Sequence, residues 1–350
     1  MRGCLKTAFL SIALAAAAFA GLAFWAMRSS LPPMPKLPGR IERGALQHGG
    51  RMRTWIAYLP AKPATHPALV IALHGSMGTA EQARATYAYD FDLLADQHGF
   101  IAVYPQGYEG HWNDCRVRGP FTAKRENIDD VGFLHALVDR LVKDHNADRA
   151  RVYVTGVSNG GQMALRLALQ TPDFARAYAA VVASVPAPEN MAVTPKNQPV
   201  SMLIMNGTGD PFNPWRGGDV VLYGVWGNRG PVLSAQASID YFRKLAGLEG
   251  APHVTQFPDR DPGEHRRAFV MVRTRQAQCR ALHHQRRRPQ RPASRHARPA
   301  PAWQFQPRHP RRKRDLGILP VGAVTQVYAV VMTRARRVLS FSSFSPTSPR

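Results

Sequence analysis

From Arg53 to Met205 the chain alternates short apolar runs with amphipathic stretches, and after Pro262 the alternation stops. Arg53-Thr54-Trp55-Ile56-Ala57-Tyr58-Leu59 alternates in the manner of an early strand. Ala68 to Leu73 is continuously apolar, as in a central parallel strand buried on both faces. Glu81 to His98 reads as one amphipathic helix, and Phe100 to Tyr104 as the next strand, stopped by Pro105. Asp129 and Asp130 open a predicted helix through Val131, Phe133, Leu134, Leu137, Leu141 and Val142, where acidic residues suit the helix dipole. Arg151 to Thr155, Tyr178 to Ala183 and Val200 to Met205 read as further strands, and Gln162 to Leu169 as a further helix. Strands and helices alternating at these lengths predict an α/β fold, a doubly wound and mostly parallel sheet in a single domain.

Charge changes this picture. The 350 residues carry a net charge of +23. From Glu264 to the end, 20 Lys/Arg stand against two acidic residues, a net of +18, which leaves only +5 for everything before. A near-neutral body therefore carries a very basic tail. At the other end, Arg2 and Lys6 precede an apolar run from Ala8 to Met27, closed by Arg28. Residues 1–28 are expected to be an export signal, cleaved after Ala18-Phe19-Ala20, or an uncleaved membrane anchor. The expected location is extracellular or periplasmic in either case. Pro32, Pro33, Pro35 and Pro38 mark residues 29–44 as a stiff linker. Cys4, Cys115 and Cys279 are scattered, with neither metal-ligand spacing nor a disulfide framework.

The chemistry centres on Gly156-Val157-Ser158-Asn159-Gly160-Gly161, between a predicted strand and a predicted helix. Strand, Gly-x-Ser-x-Gly, helix is the context of a nucleophile elbow. The turn is so tight that Gly156 and Gly160 must lack Cβ atoms, and Ser158 projects as a candidate nucleophile. Asn159 begins the helix, so its N–H can face a developing oxyanion. The strand ending at Leu73 runs into His74-Gly75-Ser76-Met77-Gly78, a loop able to supply a second donor, Ser76 ahead of Met77. Asp210, after the Val200–Met205 strand, is the candidate triad acid, with Asp219 in reserve. Trp112 either lines a substrate pocket, the role carried forward here, or caps the core.

Leu73-His74-Gly75, Tyr104-Pro105 with Trp112-Asn113, Asp129-Asp130-Val131-Gly132-Phe133, Gly156 to Gly161 and Gly207-Thr208-x-Asp210-Pro211 come in one order at workable spacings. Together they resemble the secreted polyhydroxybutyrate depolymerase-like esterases, relatives of feruloyl and acetylxylan esterases, over about residues 45 to 262. The resemblance implies an α/β-hydrolase fold and a Ser-Asp-His triad. It also implies an acyl-enzyme mechanism without metal or cofactor. It makes Ser158 the nucleophile, Asp210 the acid, and Asn159 and Ser76 the oxyanion donors. The expected substrate is a polyhydroxyalkanoate oligomer or a feruloyl or acetyl ester.

The resemblance also implies a histidine in a Gly-Gly-Gly-His-like loop, which this chain lacks. Of the histidines after Asp210 (His253, His265, His283, His284, His296 and His309), none follows a recognisable strand, and none is assigned as base. Residues 263–350 are rich in Arg, Pro, His and Gln without helical or strand period. A reading frame shifted near Pro262 accounts for this. Back-translated and read one nucleotide later, Gln285 to Gln290 can spell Asn-Gly-Gly-Gly-His. In that frame Met271-Val272 must give tryptophan, and Arg314 to Leu319 can give Glu-Ile-Trp-Glu-Phe. The expectation is a serine esterase whose translated chain is impaired. Two alternatives stand beside it: a catalytically dead hydrolase fold that binds ligand, and a tail that binds nucleic acid or an anionic surface. Few aromatic residues interleave the tail's charges, so nucleic acid is not the expected partner. Membrane contact is expected only through an N-terminal anchor.

Overall fold

The computed structural model describes residues 33–221 and 227–250. The signal or anchor and the basic tail lie outside them. Seven strands form one sheet: β1 (Arg40–His48), β2 (Arg51–Leu59), β3 (Leu69–Leu73), β4 (Ile101–Pro105), β5 (Val152–Val157), β6 (Ala177–Val181) and β7 (Met202–Met205). Their order is β1-β2-β4-β3-β5-β6-β7. β1 and β2 are antiparallel, β2 joins β4 antiparallel, and the five strands β4, β3, β5, β6 and β7 run parallel. This is the doubly wound, mostly parallel sheet of an α/β fold.

The helices are α1 (Ala80–Thr86), α2 (Asp90–His98), the short α3 (Thr122–Arg125), α4 (Asp130–His145), α5 (Asn159–Gln170) and α6 (Ala235–Leu245). Alternate residues of β3 feed two cores. Leu69, Ile71 and Leu73 face Phe133, Leu137, Leu167 and Phe242, whereas Val70 and Ala72 face Ala83, Phe91 and Leu94. A strand buried on both faces needs a continuously apolar sequence, and all five β3 residues are buried.

Two boundaries differ from expectation. Arg40 to Gly44, read as the end of the linker, form the first half of β1, which pairs with β2 from Arg40↔Leu59 to His48↔Arg51. The hairpin turns on Gly49 and Gly50 at φ 55° and 72°, the left-handed conformations a two-residue turn demands. The strand was obscured because its small and charged residues are half covered rather than buried. The single helix expected over Glu81–His98 is broken. α1 starts with a Thr79/Gln82 capping box, and the chain then turns through Ala88 and Tyr89 at φ 52° and 62°. This turn brings Tyr87 and Phe91 into the core edge to face, with ring centroids 4.9 Å apart. Among the described residues no helix is long and apolar enough to cross a membrane.

Candidate active site

β5 ends at Val157 and α5 begins at Asn159, so Ser158 alone makes the turn. Its backbone sits at φ 55°, ψ −116°, a region hostile to residues with a side chain. The Ser158 N–H donates to Val181 O at 2.8 Å and its carbonyl accepts from Gln162 N–H at 2.9 Å, so sheet and helix hold the strained residue from both sides. The glycines behave as the sequence predicts. A Cβ on Gly156 would lie 2.2 Å from Gly160 O, and one on Gly160 would lie 2.5 Å from both His74 O and Leu73 O. The elbow is thus wedged against the end of β3, and a Cβ built on Gly75 would come 3.7 Å from Ser158 Cβ.

That contact sets the loop of Ser76 beside Ser158. The loop is shaped by His74, which is 3% exposed. Its Nε2 accepts from Gly107 N–H at 2.9 Å, so the proton resides on Nδ1 and is donated to Gly75 O at 2.7 Å. This bond fixes the Gly75–Ser76 peptide plane and with it the direction of the Ser76 amide. Both ring nitrogens are engaged with backbone, so His74 is not available as a base for Ser158. Burial pushes its pKa down to about 4. Above the unfolded value of 6.5 both states are neutral; between 6.5 and 4 only the unfolded chain takes up the proton. Acidification across that window should therefore remove about 3 kcal/mol of stability. Unfolding free energies of wild type and His74→Asn between pH 7 and 4 check this: the wild type should show the steeper loss.

Trp112 joins the loop to the elbow. Its indole N–H donates to His74 O at 3.0 Å, and its backbone N–H donates to Asn159 Oδ1 at 2.8 Å. Asn159 Nδ2 donates back to Trp112 O at 3.1 Å and to Asp114 Oδ2 at 2.6 Å. Trp112 is wholly buried, so the pocket role is corrected: it caps the core and bolts two parts of the site together. The Asn159 side chain is consumed by this bolt. Its backbone N–H, the first of α5, belongs to the turn of a helix where amides lack intrahelical partners.

Asp210 follows β7. Its Oδ1 accepts from Phe212 N–H at 2.8 Å and Asn213 N–H at 3.0 Å, whereas its Oδ2 is buried with no partner among the described residues. Burial raises its pKa, against the two amides that lower it. Ser76 Oγ and Thr208 Oγ1 are likewise buried and unpartnered. Buried polar atoms ordinarily have a hydrogen-bond partner, so the open oxygen is the exception that needs explaining. Asp219, the reserve acid, is exposed on a two-residue strand paired with Pro231–Val232 and plays no part in this arrangement.

Sequence reasoning missed the support beneath the loop. Asp130, read as a dipole partner, is a buried anchor: Arg53 Nη2 donates to it at 2.6 Å and Asn113 N–H at 2.7 Å. Asp114, also fully buried, takes Arg116 on both oxygens, and Lys124 Nζ lies 3.7 Å away. Nothing in the spacing of Asp114, Arg116 and Lys124 announces a buried cluster. Cys115 is free and buried, with its thiol pushed up to about 12 by desolvation.

Residues 54–193, which include the Ser76 loop and the elbow, match the family model described as Esterase PHB depolymerase. This segment resembles the domain that model describes. A putative esterase, NocK, of Nocardia uniformis subsp. tsuyamanensis is 29% identical over 209 residues, 58% of each chain. Feruloyl esterase B of Neurospora crassa is 37% identical over 123 residues, covering 35% of this chain and 41% of that one. A probable acetylxylan esterase A of Aspergillus flavus is 32% identical over 144 residues, 41% of this chain and 44% of that one. The chain thus spans between 41% and 58% of the length of these relatives. Asp210 lies beyond the matched domain, and the geometry around it stands on its own.

Proposed function

We propose that this chain is built as a serine-type carboxylic ester hydrolase. The observation that carries the proposal is Ser158, held at φ 55° where a serine is strained, beside a glycine loop and α5's first amide. In the proposed reaction Ser158 Oγ attacks the acyl carbonyl. The Asn159 and Ser76 amides hold the oxyanion; loss of one such donor typically costs roughly 100- to 1,000-fold. Asp210 fixes the tautomer of a histidine and stabilises its protonated form. That histidine takes the serine proton and later returns it to the leaving alcohol. No histidine partners Asp210 among the described residues, and the missing base belongs to the C-terminal segment, in the shifted frame that spells Asn-Gly-Gly-Gly-His. Polyhydroxyalkanoate oligomers and feruloyl or acetyl esters are the substrate classes this reading favours. The N-terminal apolar run supports export.

A serine without its base is a weak nucleophile at neutral pH. An alkyl fluorophosphonate should therefore label the frame-restored chain at Ser158, read by intact mass, and label neither its Ser158→Ala variant nor the chain as written. Labelling that survives Ser158→Ala would overturn the assignment.

A further inference from the structure

Arg229 is buried, 7% exposed, on the strand-like segment that leads into Val232. Its backbone is fixed: its N–H donates to Val220 O at 2.9 Å, and its carbonyl accepts from Asn190 Nδ2 at 2.9 Å. Its guanidinium is not fixed by any hydrogen bond or ion pair among the described residues. Nε is sealed from solvent without a partner. The group lies over the Phe121 ring, 5.1 Å from its centroid, and that ring also stacks on His111 at 4.4 Å. Attraction to one aromatic face is far smaller than the cost of dehydrating a guanidinium.

The surroundings make the imbalance worse. The one buried carboxylate nearby, Asp114, is already claimed by Arg116, Lys124 and the Asn159 amide. Lys124 also donates to Asp114 O at 3.1 Å and to Arg116 O. Two buried arginines and the half-buried Lys124 thus stand around one anion, and the Arg229 side chain is the one with no hydrogen bond or ion pair among the described residues. Like charge from Arg116, added to burial, pushes its pKa down. The stack is connected to the loop of Ser76 and to the elbow through the residues on either side of His111. Gly110, beside His111, packs on Met77 and Gly78 of the Ser76 loop, and Trp112, the next residue, is hydrogen-bonded to Asn159.

We propose that Arg229 receives a free carboxylate carried by the ester substrate, so that the site selects half-esters over neutral esters. A guanidinium offers a planar fork that a carboxylate fills with two parallel bonds, and the Phe121 face fixes the plane of that fork. The proposal rests on the ester hydrolase reading for its substrate, but the anion site can be tested without turnover.

The test uses the full chain with Ser158→Ala, which holds an ester without cleaving it, titrated calorimetrically with monomethyl succinate and with dimethyl succinate. The half-ester should bind about 10- to 100-fold tighter, the range expected for charged hydrogen bonds. Arg229→Met should erase the difference, and Arg229→Lys should restore part of it, with unchanged melting temperatures showing that the variants fold. Equal binding of the two esters, or a preference that persists in Arg229→Met, overturns the proposal; the two-ester comparison needs no Arg229 variant to be decisive. An Arg229-dependent preference in a protein whose frame-restored form hydrolyses neither ester upholds the anion site and sinks the hydrolase reading. Hydrolysis of both esters at equal kcat/KM, unaffected by Arg229→Met, does the reverse.

Discussion

A gene restored by one nucleotide near Pro262 should yield a protein that hydrolyses 4-nitrophenyl butyrate about 10,000-fold faster than the chain as written. The factor is that typically lost when a serine hydrolase forfeits one member of its triad. Asp210 makes the case specific. Two backbone amides clamp its Oδ1, and its Oδ2 is sealed away with nothing to bond. An imidazole N–H donated to Oδ2 would satisfy an orphaned acceptor. His74, which shapes the Ser76 loop, has both nitrogens committed to backbone and cannot take this place. The two proteins should also differ in response to Asp210→Asn, which should slow the restored enzyme by orders of magnitude and leave the chain as written nearly unchanged. Comparable Ser158-dependent rates from both proteins would refute the shifted-frame account.

The second large effect concerns folding rather than rate. Gly160→Ala should cost more than about 4 kcal/mol, enough to prevent accumulation of soluble protein, because the added methyl meets the Leu73 and His74 carbonyls at 2.5 Å each. Both obstacles are main chain, one at the end of β3 and one at the start of the loop that carries Ser76, so no rotamer change relieves the clash. Gly75→Ala is the matched control. Its methyl would rest at 3.5 Å from Val157 O and 3.7 Å from Ser158 Cβ, ordinary contact distances. That variant should fold with a melting temperature close to wild type. A well-folded Gly160→Ala protein would show that the elbow and the Ser76 loop are not wedged together as described.

These two glycines also mark how far the sequence could be read. Where burial is two-sided, as in β3, the chain must be continuously apolar, and the strand was legible. Where a turn admits one residue, as at Ser158, flanking glycines are obligatory, and the elbow was legible too. β1 was missed because a half-covered edge strand needs only weak alternation. The break after α1 was missed because the signal is backbone conformation at Ala88 and Tyr89, neither of them a residue type that advertises positive φ. Trp112 was ambiguous in sequence because a large aromatic satisfies a core and a pocket equally; only its bonds to His74 and Asn159 decide. The buried cations around Asp114 were illegible for a different reason. Arg116 and Lys124 lie within ten residues of Asp114, but nothing in that spacing announces burial, and Arg229 is brought to Phe121 across more than 100 residues.

The backbone at Ser158 bears on history as well as chemistry. A serine at φ 55°, ψ −116° carries a standing penalty of about 1–3 kcal/mol that glycine would relieve at once. In a lineage long freed from catalysis, that relief is among the easiest stabilising changes open to chance, since it needs no compensating substitution. The serine has nevertheless stayed. If the shifted-frame proposal holds, a serine kept against that penalty implies that the elbow was still under upkeep when the C-terminal text changed, and that the change is recent.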